Sequence, residues 1–220
     1  MPAGKYSLYL YQDDCRDMQT RETIEGVSQP LRGEFLRATA ISGAVLYRID
    51  VRLPAALASL FVSPLLPGQL TGLLSLLSGN GTAVVGEGAD VLYPWKAGKY
   101  TGLAERRRFN LNLNDDESSA LLTQLLDDAS SRLRGTLLRE LVIAGCALHE
   151  LDSRFPRLLS SMPEPPATID ELCLLASKLL GQSAPVSSPE SIAKAATPVV
   201  EPAPPATDRD LVRQNMKKLL

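Results

Sequence analysis

Leu133 to Met162 reads LRGTLLRELVIAGCALHELDSRFPRLLSSM, and most of this stretch has already occurred once in the chain. Leu31 to Leu60 reads LRGEFLRATAISGAVLYRIDVRLPAALASL and aligns with it without a gap at an offset of 102 residues. Thirteen of the thirty positions are identical: Leu31, Arg32, Gly33, Leu36, Arg37, Ile41, Gly43, Leu46, Asp50, Arg52, Pro54, Leu57 and Ser59 each recur. A Leu-rich composition produces chance matches at Leu, but not a fixed spacing of Arg, Gly, Asp and Pro. The chain is therefore a tandem duplication, and its fold has to be read as two copies of one unit.

The repeat extends both ways. Upstream the second copy is one residue shorter, so the offset becomes 103, and Tyr6, Leu8 and Leu10 fall on Phe109, Leu111 and Leu113. Both stretches alternate apolar with polar, the period of a strand with one buried face. Downstream, Leu70, Leu73, Ser75, Leu77 and Gly79 match Leu172, Leu175, Ser177, Leu179 and Gly181, a weaker match because Leu and Ser are common here.

Each copy continues from strand into helices. Asp13 and Asp14 are N-cap candidates for a helix over about 16–27, and its copy begins after Asp115 and Asp116. Longer helices are expected over 33–49 and 135–151. Gly43 and Gly145 sit mid-helix in both copies, at a cost of about 1 kcal/mol each against Ala. Retaining them twice implies that another backbone crosses closely there. Pro54 and Pro156 end these helices or open short ones, and Asp50 with Arg52, like Asp152 with Arg154, is expected to fix the turn before the proline.

Strand, helix, helix in that order and size is the ribbon-helix-helix unit. One unit cannot close its own core, so two must pair their strands into an antiparallel ribbon over four helices. The expected fold is thus mainly α with a short antiparallel β-ribbon, a tandem ribbon-helix-helix pseudo-dimer in one chain. The expected divisions are 1–79 for the first repeat with an extra helix, 80–107 for a Gly-rich linker or hairpin, and 108–181 for the second repeat. A Pro-rich linker at 182–206 and a C-terminal helix at 207–220 follow. In that helix Leu211, Val212, Met216, Leu219 and Leu220 form one stripe, the pattern of a tethered docking peptide.

Bulk properties constrain function only loosely. The net charge of −2 and pI near 5.5 argue mildly against nucleic acid, but the run Arg106-Arg107-Arg108 is concentrated at the second strand. Three unclustered cysteines read as reduced thiols, and no stretch reads as a signal peptide or membrane span. Gly79-Asn80-Gly81 lacks the Lys-Ser/Thr of a phosphate loop, and the one histidine, His149, has no partners for catalysis. No catalytic residue, metal site or cofactor is expected.

Alternation assigns the strand faces. Lys5, Ser7, Tyr9 and Tyr11 point away from the core, as do Arg108, Asn110, Asn112 and Asn114. Asn is depleted in strands, yet Arg and Asn suit base edges, Arg for guanine and Asn for adenine. These positions, Tyr11 excepted, are the candidate DNA contacts. Arg32-Gly33 and Arg134-Gly135 open the second helix in each copy, where free N–H groups suit a phosphate; a simple capping turn is the other reading. For Arg37 and Arg139 two readings stay open, phosphate or a nearby acid.

At these residues the chain resembles the ParR/StbB plasmid partition adaptors. The resemblance is carried by YSLYLYQDD at 6–14, QPLRGEFLRATAISGAVLYRIDVRLPAAL at 29–57, Thr168-Ile169-Asp170, and VRQNMKKLL at 212–220. It implies a cytoplasmic protein that binds centromere-like plasmid repeats, assembles on that DNA, represses its own operon, and captures an actin-like ParM-type ATPase filament through its C-terminal helix. Members of that family carry one unit and dimerise, whereas this chain carries two units and one tail. A transcriptional repressor or a relaxosome accessory protein of the TraY type is the alternative on the same fold.

Overall fold

The computed structural model describes residues 2–79 and 105–181. The hairpin expected around Gly86-Glu87-Gly88, the Pro-rich linker and the C-terminal helix lie outside the described residues. The first copy runs β1 (Pro2–Tyr11), α1 (Cys15–Gly26), a 3-10 turn (Gln29–Leu31), α2 (Arg32–Ile49), α3 (Leu53–Leu60) and α4 (Pro67–Leu77). The second runs β2 (Arg106–Asn114), α5 (Glu117–Asp128), α6 (Ser131–Leu151), α7 (Phe155–Ser161) and α8 (Ile169–Leu179). Element by element the copies correspond, so the weaker downstream match is a true repeat. Even its terminal glycines agree, with Gly79 at φ 72° and Gly181 at φ 65°, the left-handed geometry that glycine adopts without strain just past a helix.

The ribbon forms within one chain: β1 pairs antiparallel with β2. β2 begins at Arg106, two residues inside the stretch expected as linker, because Arg106 and Arg107 pair with Tyr11 and Leu10. A two-stranded ribbon is marginal alone in water. This one is anchored by Leu8, Leu10, Leu111 and Leu113, all essentially fully buried. Each such leucine contributes ~1.5–3 kcal/mol of burial.

The helices explain why neither copy closes alone. α2 packs on α5, α6, α7 and β2, while α6 packs on α1, α2, α3 and β1. Each long helix is thus wrapped largely by the other copy, and residues 39–46 and 141–148 are buried on every side. At the centre of the interlock neither long helix keeps an exposed face.

α2 and α6 cross at the two mid-helix glycines. A Cβ on Gly43 would lie 2.7 Å from the Leu141 Cα and carbonyl carbon, and one on Gly145 would lie 2.7 Å from the same atoms of Thr39. Leu141 is the repeat counterpart of Thr39, so the two contacts are images of each other. The pseudo-twofold axis therefore passes the helix pair at Ile41 and Ile143. It passes the ribbon at Ser7, which pairs with Asn110, its own counterpart at the offset of 103.

The proline turns are as expected. Pro54 and Pro156 stand in the first turns of α3 and α7, where a missing N–H costs nothing. The Asp50 carboxylate accepts from the Arg52 N–H at 2.8 Å and grips its guanidinium, and Asp152 does the same for Arg154. α6 starts a turn earlier than α2 relative to the repeat. Copy one has Pro30 there and winds Gln29–Leu31 as a 3-10 turn leading into α2, whereas copy two has Arg132 and is α-helical from Ser131. The copies also diverge in charge: residues 53–79 contain none, whereas 155–181 contain Arg157, Glu164, Asp170, Glu171 and Lys178.

Candidate nucleic-acid interface

The outer face of the ribbon is four cross-strand rows: Lys5 with Asn112, Ser7 with Asn110, Tyr9 with Arg108, and Tyr11 with Arg106. Lys5, Arg106, Arg108, Asn110, Asn112 and Asn114 are exposed, and Ser7 and Tyr9 are half-buried. The faces deduced from alternation are therefore those observed. At the centre, Arg108 donates from Nε and Nη2 to Ser7 Oγ at 3.2 and 2.9 Å, and Ser7 donates to Asn110 Oδ1 at 3.1 Å. The Arg106 guanidinium lies 4.7 Å from the centroid of Tyr9. Such a cation over an aromatic face is held by about 0.5–1 kcal/mol when exposed.

Arg106 is not among the candidates read from sequence, where the second repeat is taken to begin at residue 108. The triple-arginine run was its only signal. Arg107 faces the other way and meets Glu25 at 3.7 Å.

Arg32 opens α2 as expected, but α6 starts at Ser131, so Arg134 and Gly135 lie past its opening turn, and neither arginine stands as a free phosphate clamp. Arg32 donates to the carbonyls of Val27 at 2.8 Å and Glu25 at 2.7 Å, and Arg134 donates to the Ala129 carbonyl at 3.4 Å. Both guanidiniums thus cap the orphan carbonyls where α1 and α5 end. Their neighbours Gly33 and Gly135 are exposed, and a Cβ on either would meet no atom within 4 Å. Among the described residues nothing requires glycine at these two positions.

Arg37 and Arg139 bond acids of the opposite copy. Arg37 meets Asp116 at 2.7 Å, and Arg139 meets Asp14 at 2.7 Å and Asp17 at 2.8 Å. Asp14 and Asp116 are the N-caps of α1 and α5, accepting from the Arg16 and Ser119 N–H groups. Asp14, rather than Asp13, is the cap of α1. Burial pushes the Asp14 carboxyl up, but bonding to Arg16 and the charge of Arg139 outweigh it and hold it at about 2. Asp116 is similarly pushed up by burial and pulled down to about 2 by Ser119, Ser118 and Arg37.

Asp17 breaks the symmetry. Its counterpart is Ser119, and both are fully buried. The Asp17 carboxylate accepts the Tyr11 N–H at 2.7 Å, and its two oxygens share the N–H that Arg139 Nε donates, at 2.8 and 2.9 Å. Burial raises its pKa despite Arg139. This pin between β1, α1 and α6 was not legible as functional in the sequence, where Asp17 is one helix acid among several.

Other candidates recede. His149 is half-buried and edge-on to Phe35, with ring centroids 4.9 Å apart. Among the described residues no cluster of His, Cys, Asp or Glu could hold a metal ion, and no helix is long and apolar enough to cross a membrane. The family model described as plasmid stability protein matches residues 4–74 and, separately, 107–176. These spans reproduce the duplication, the first from β1 into α4 and the second from β2 into α8. No curated protein and no solved structure matches the chain.

Proposed function

The chain belongs to the plasmid stability protein family, and from that premise we propose that it is a DNA-binding adaptor of a plasmid partition system. Membership supports a role in plasmid maintenance. The carrying observation for DNA is the outer ribbon face, a row of exposed Arg, Lys and Asn on a two-stranded antiparallel ribbon. A ribbon of this kind fits the major groove, and these side chains match base-edge donors and acceptors.

In this reading Lys5, Ser7, Tyr9, Arg108, Asn110, Asn112 and Asn114 face the bases, joined by Arg106. Beside Arg32 and Arg134, whose own N–H groups already donate to the Gln29 and Ser130 carbonyls, the exposed Gly33 and Gly135 leave room for a flanking phosphate to come close to these turns. The arginines hold those turns in place rather than reaching out. The DNA is a set of centromere-like repeats, and overlap with the promoter makes the protein a repressor of its own operon. The stripe Leu211, Val212, Met216, Leu219 and Leu220 captures an actin-like ATPase filament, and copies self-associate on the DNA. The protein itself does no catalysis.

The test is a gel shift with DNA from upstream of its own operon at graded salt. A specific complex that weakens as salt rises is expected; no shift at low salt refutes DNA binding. Deleting 207–220 separates adaptor from simple repressor or relaxosome accessory protein. Plasmid loss with intact DNA binding supports the adaptor, and unchanged plasmid retention refutes the filament link.

A further inference from the structure

The register of the ribbon places its pseudo-twofold axis at Ser7 and Asn110, and the two sides of that axis are chemically different. On one side stands the row of Lys5 and Asn112, with Asn114 beyond. On the other stands Tyr9 with Arg108, followed by Tyr11 with Arg106. Rotation about the axis carries Lys5 onto Arg108 and Tyr9 onto Asn112, so a point-charge ammonium stands where the other side has a forked guanidinium, and a phenol ring where the other side has an amide. One end is amide-rich with a single lysine, and the other is arginine-rich with aromatic support under Arg106.

Resting on the DNA-binding reading above, we propose that the chain recognises a non-palindromic duplex element in one fixed orientation, with Arg108 and Asn112 as opposed specificity residues. Rows along a strand are about 6.7 Å apart, roughly two base-pair steps. The Arg108 row therefore lies about two base pairs from the centre on one side, and the Asn112 row about two on the other. Arg108 selects guanine through its O6 and N7, and Asn112 selects adenine through N6 and N7. A homodimeric ribbon repeats one residue set and reads an inverted repeat. This ribbon carries two sets, and because both strands come from one chain, reversal of the complex is a distinguishable and weaker state.

The experiment is selection from random duplex DNA by the full-length chain, followed by binding to three labelled duplexes: the selected element and the two palindromes made by duplicating either half. A non-palindromic consensus is expected, with both palindromes binding at least about fivefold more weakly, the lower end for losing one base contact. Arg108→Gln relaxes the consensus in one half only, and Asn112→Ala relaxes it in the other half only. Both side chains are exposed, and unchanged thermal melts verify that the variants fold. A palindromic consensus, or either variant relaxing both halves equally, overturns the proposal. DNA retained without any consensus overturns it while leaving DNA binding intact. No retention even at low salt removes the DNA-binding reading and this inference with it.

Discussion

Placing a methyl group at the α2–α6 crossing should cost stability where the same change elsewhere in these helices adds it. In Gly43→Ala, the new Cβ would lie 2.7 Å from the Leu141 Cα and carbonyl carbon, with the carbonyl oxygen closer still. Carbon atoms rest about 3.5–4.0 Å apart, so the helices must separate by roughly 1 Å. The opposing atoms are backbone, so no rotamer change relieves the contact. A radial gap of about 0.5–1 Å forfeits a quarter to a half of each dispersion contact around it, here among Ala40, Ala44, Ala144 and Ala147, all fully buried. Overpacking of this kind costs ~1–3 kcal/mol and occasionally more. Ala returns ~1 kcal/mol of helix propensity. With backbone on both sides, the upper end applies and the net loss is about 2 kcal/mol. At about 2–4 °C per kcal/mol that is a fall of roughly 4–8 °C in Tm. Gly145→Ala should cost about the same, and the double variant less than twice as much, because one separation relieves both clashes. Gly33→Ala and Gly135→Ala, with open space around each Cβ, should instead gain up to about 1 kcal/mol. Urea unfolding with an unchanged m-value measures all five variants. A Gly43→Ala protein as stable as its parent would refute the close crossing.

The cross-copy arginines should differ sharply despite being images of each other. Arg139→Met leaves the buried Asp17 carboxylate without its cation and should cost about 3–5 kcal/mol, whereas Arg37→Met breaks one half-exposed pair and should cost about 1 kcal/mol or less; equal losses in chemical denaturation would contradict the assigned burial. Acid should act through the caps. The folded pKa values of Asp14 and Asp116, about 2 against an ordinary 3.8, mean that their stabilisation is present above about pH 4 and lost as pH falls toward 2. Asp17, raised by burial, works in the opposite sense, since its protonation favours the folded state. Asp14→Asn should therefore flatten the fall in stability between about pH 4 and 2, and an unaltered acid limb would exclude Asp14 as its source. Finally, a chain ending at Gly181 should scatter light as a monomer at micromolar concentration without DNA, while a dimer persisting at nanomolar concentration would mean that the strands exchange between chains.

Much of this architecture was legible because the chain states it twice. Repetition turned Gly43 from an oddity into a crossing, and alternation in both strands placed Leu8 and Leu111 inside and Asn110 and Asn112 outside. The register was not legible. No tight hairpin joins the strands, so only the helices beneath fix which residue faces which. Nor could the sequence show where a guanidinium spends itself. Arg32 and Arg37 are five residues apart on the same helix, yet one closes the end of α1 and the other crosses to the opposite copy. Asp17 eluded sequence reading for the opposite reason: it lacks an acidic counterpart, so the repeat that illuminated everything else gave it no second mention.

The pairing of β1 with β2 inside one polypeptide also bears on dosage. A DNA-reading ribbon built from two molecules exists only above the concentration at which they meet, so its supply falls with the square of their number when they are scarce. Here every molecule carries a finished ribbon at any dilution. Occupancy of a single DNA site then rises in proportion to the number of chains, without a threshold set by dimerisation. For a protein proposed to control its own synthesis, that removes dimerisation as a source of steepness and leaves any sharp shut-off to self-association along the DNA. It also means that a daughter cell inheriting only a few molecules inherits working ones.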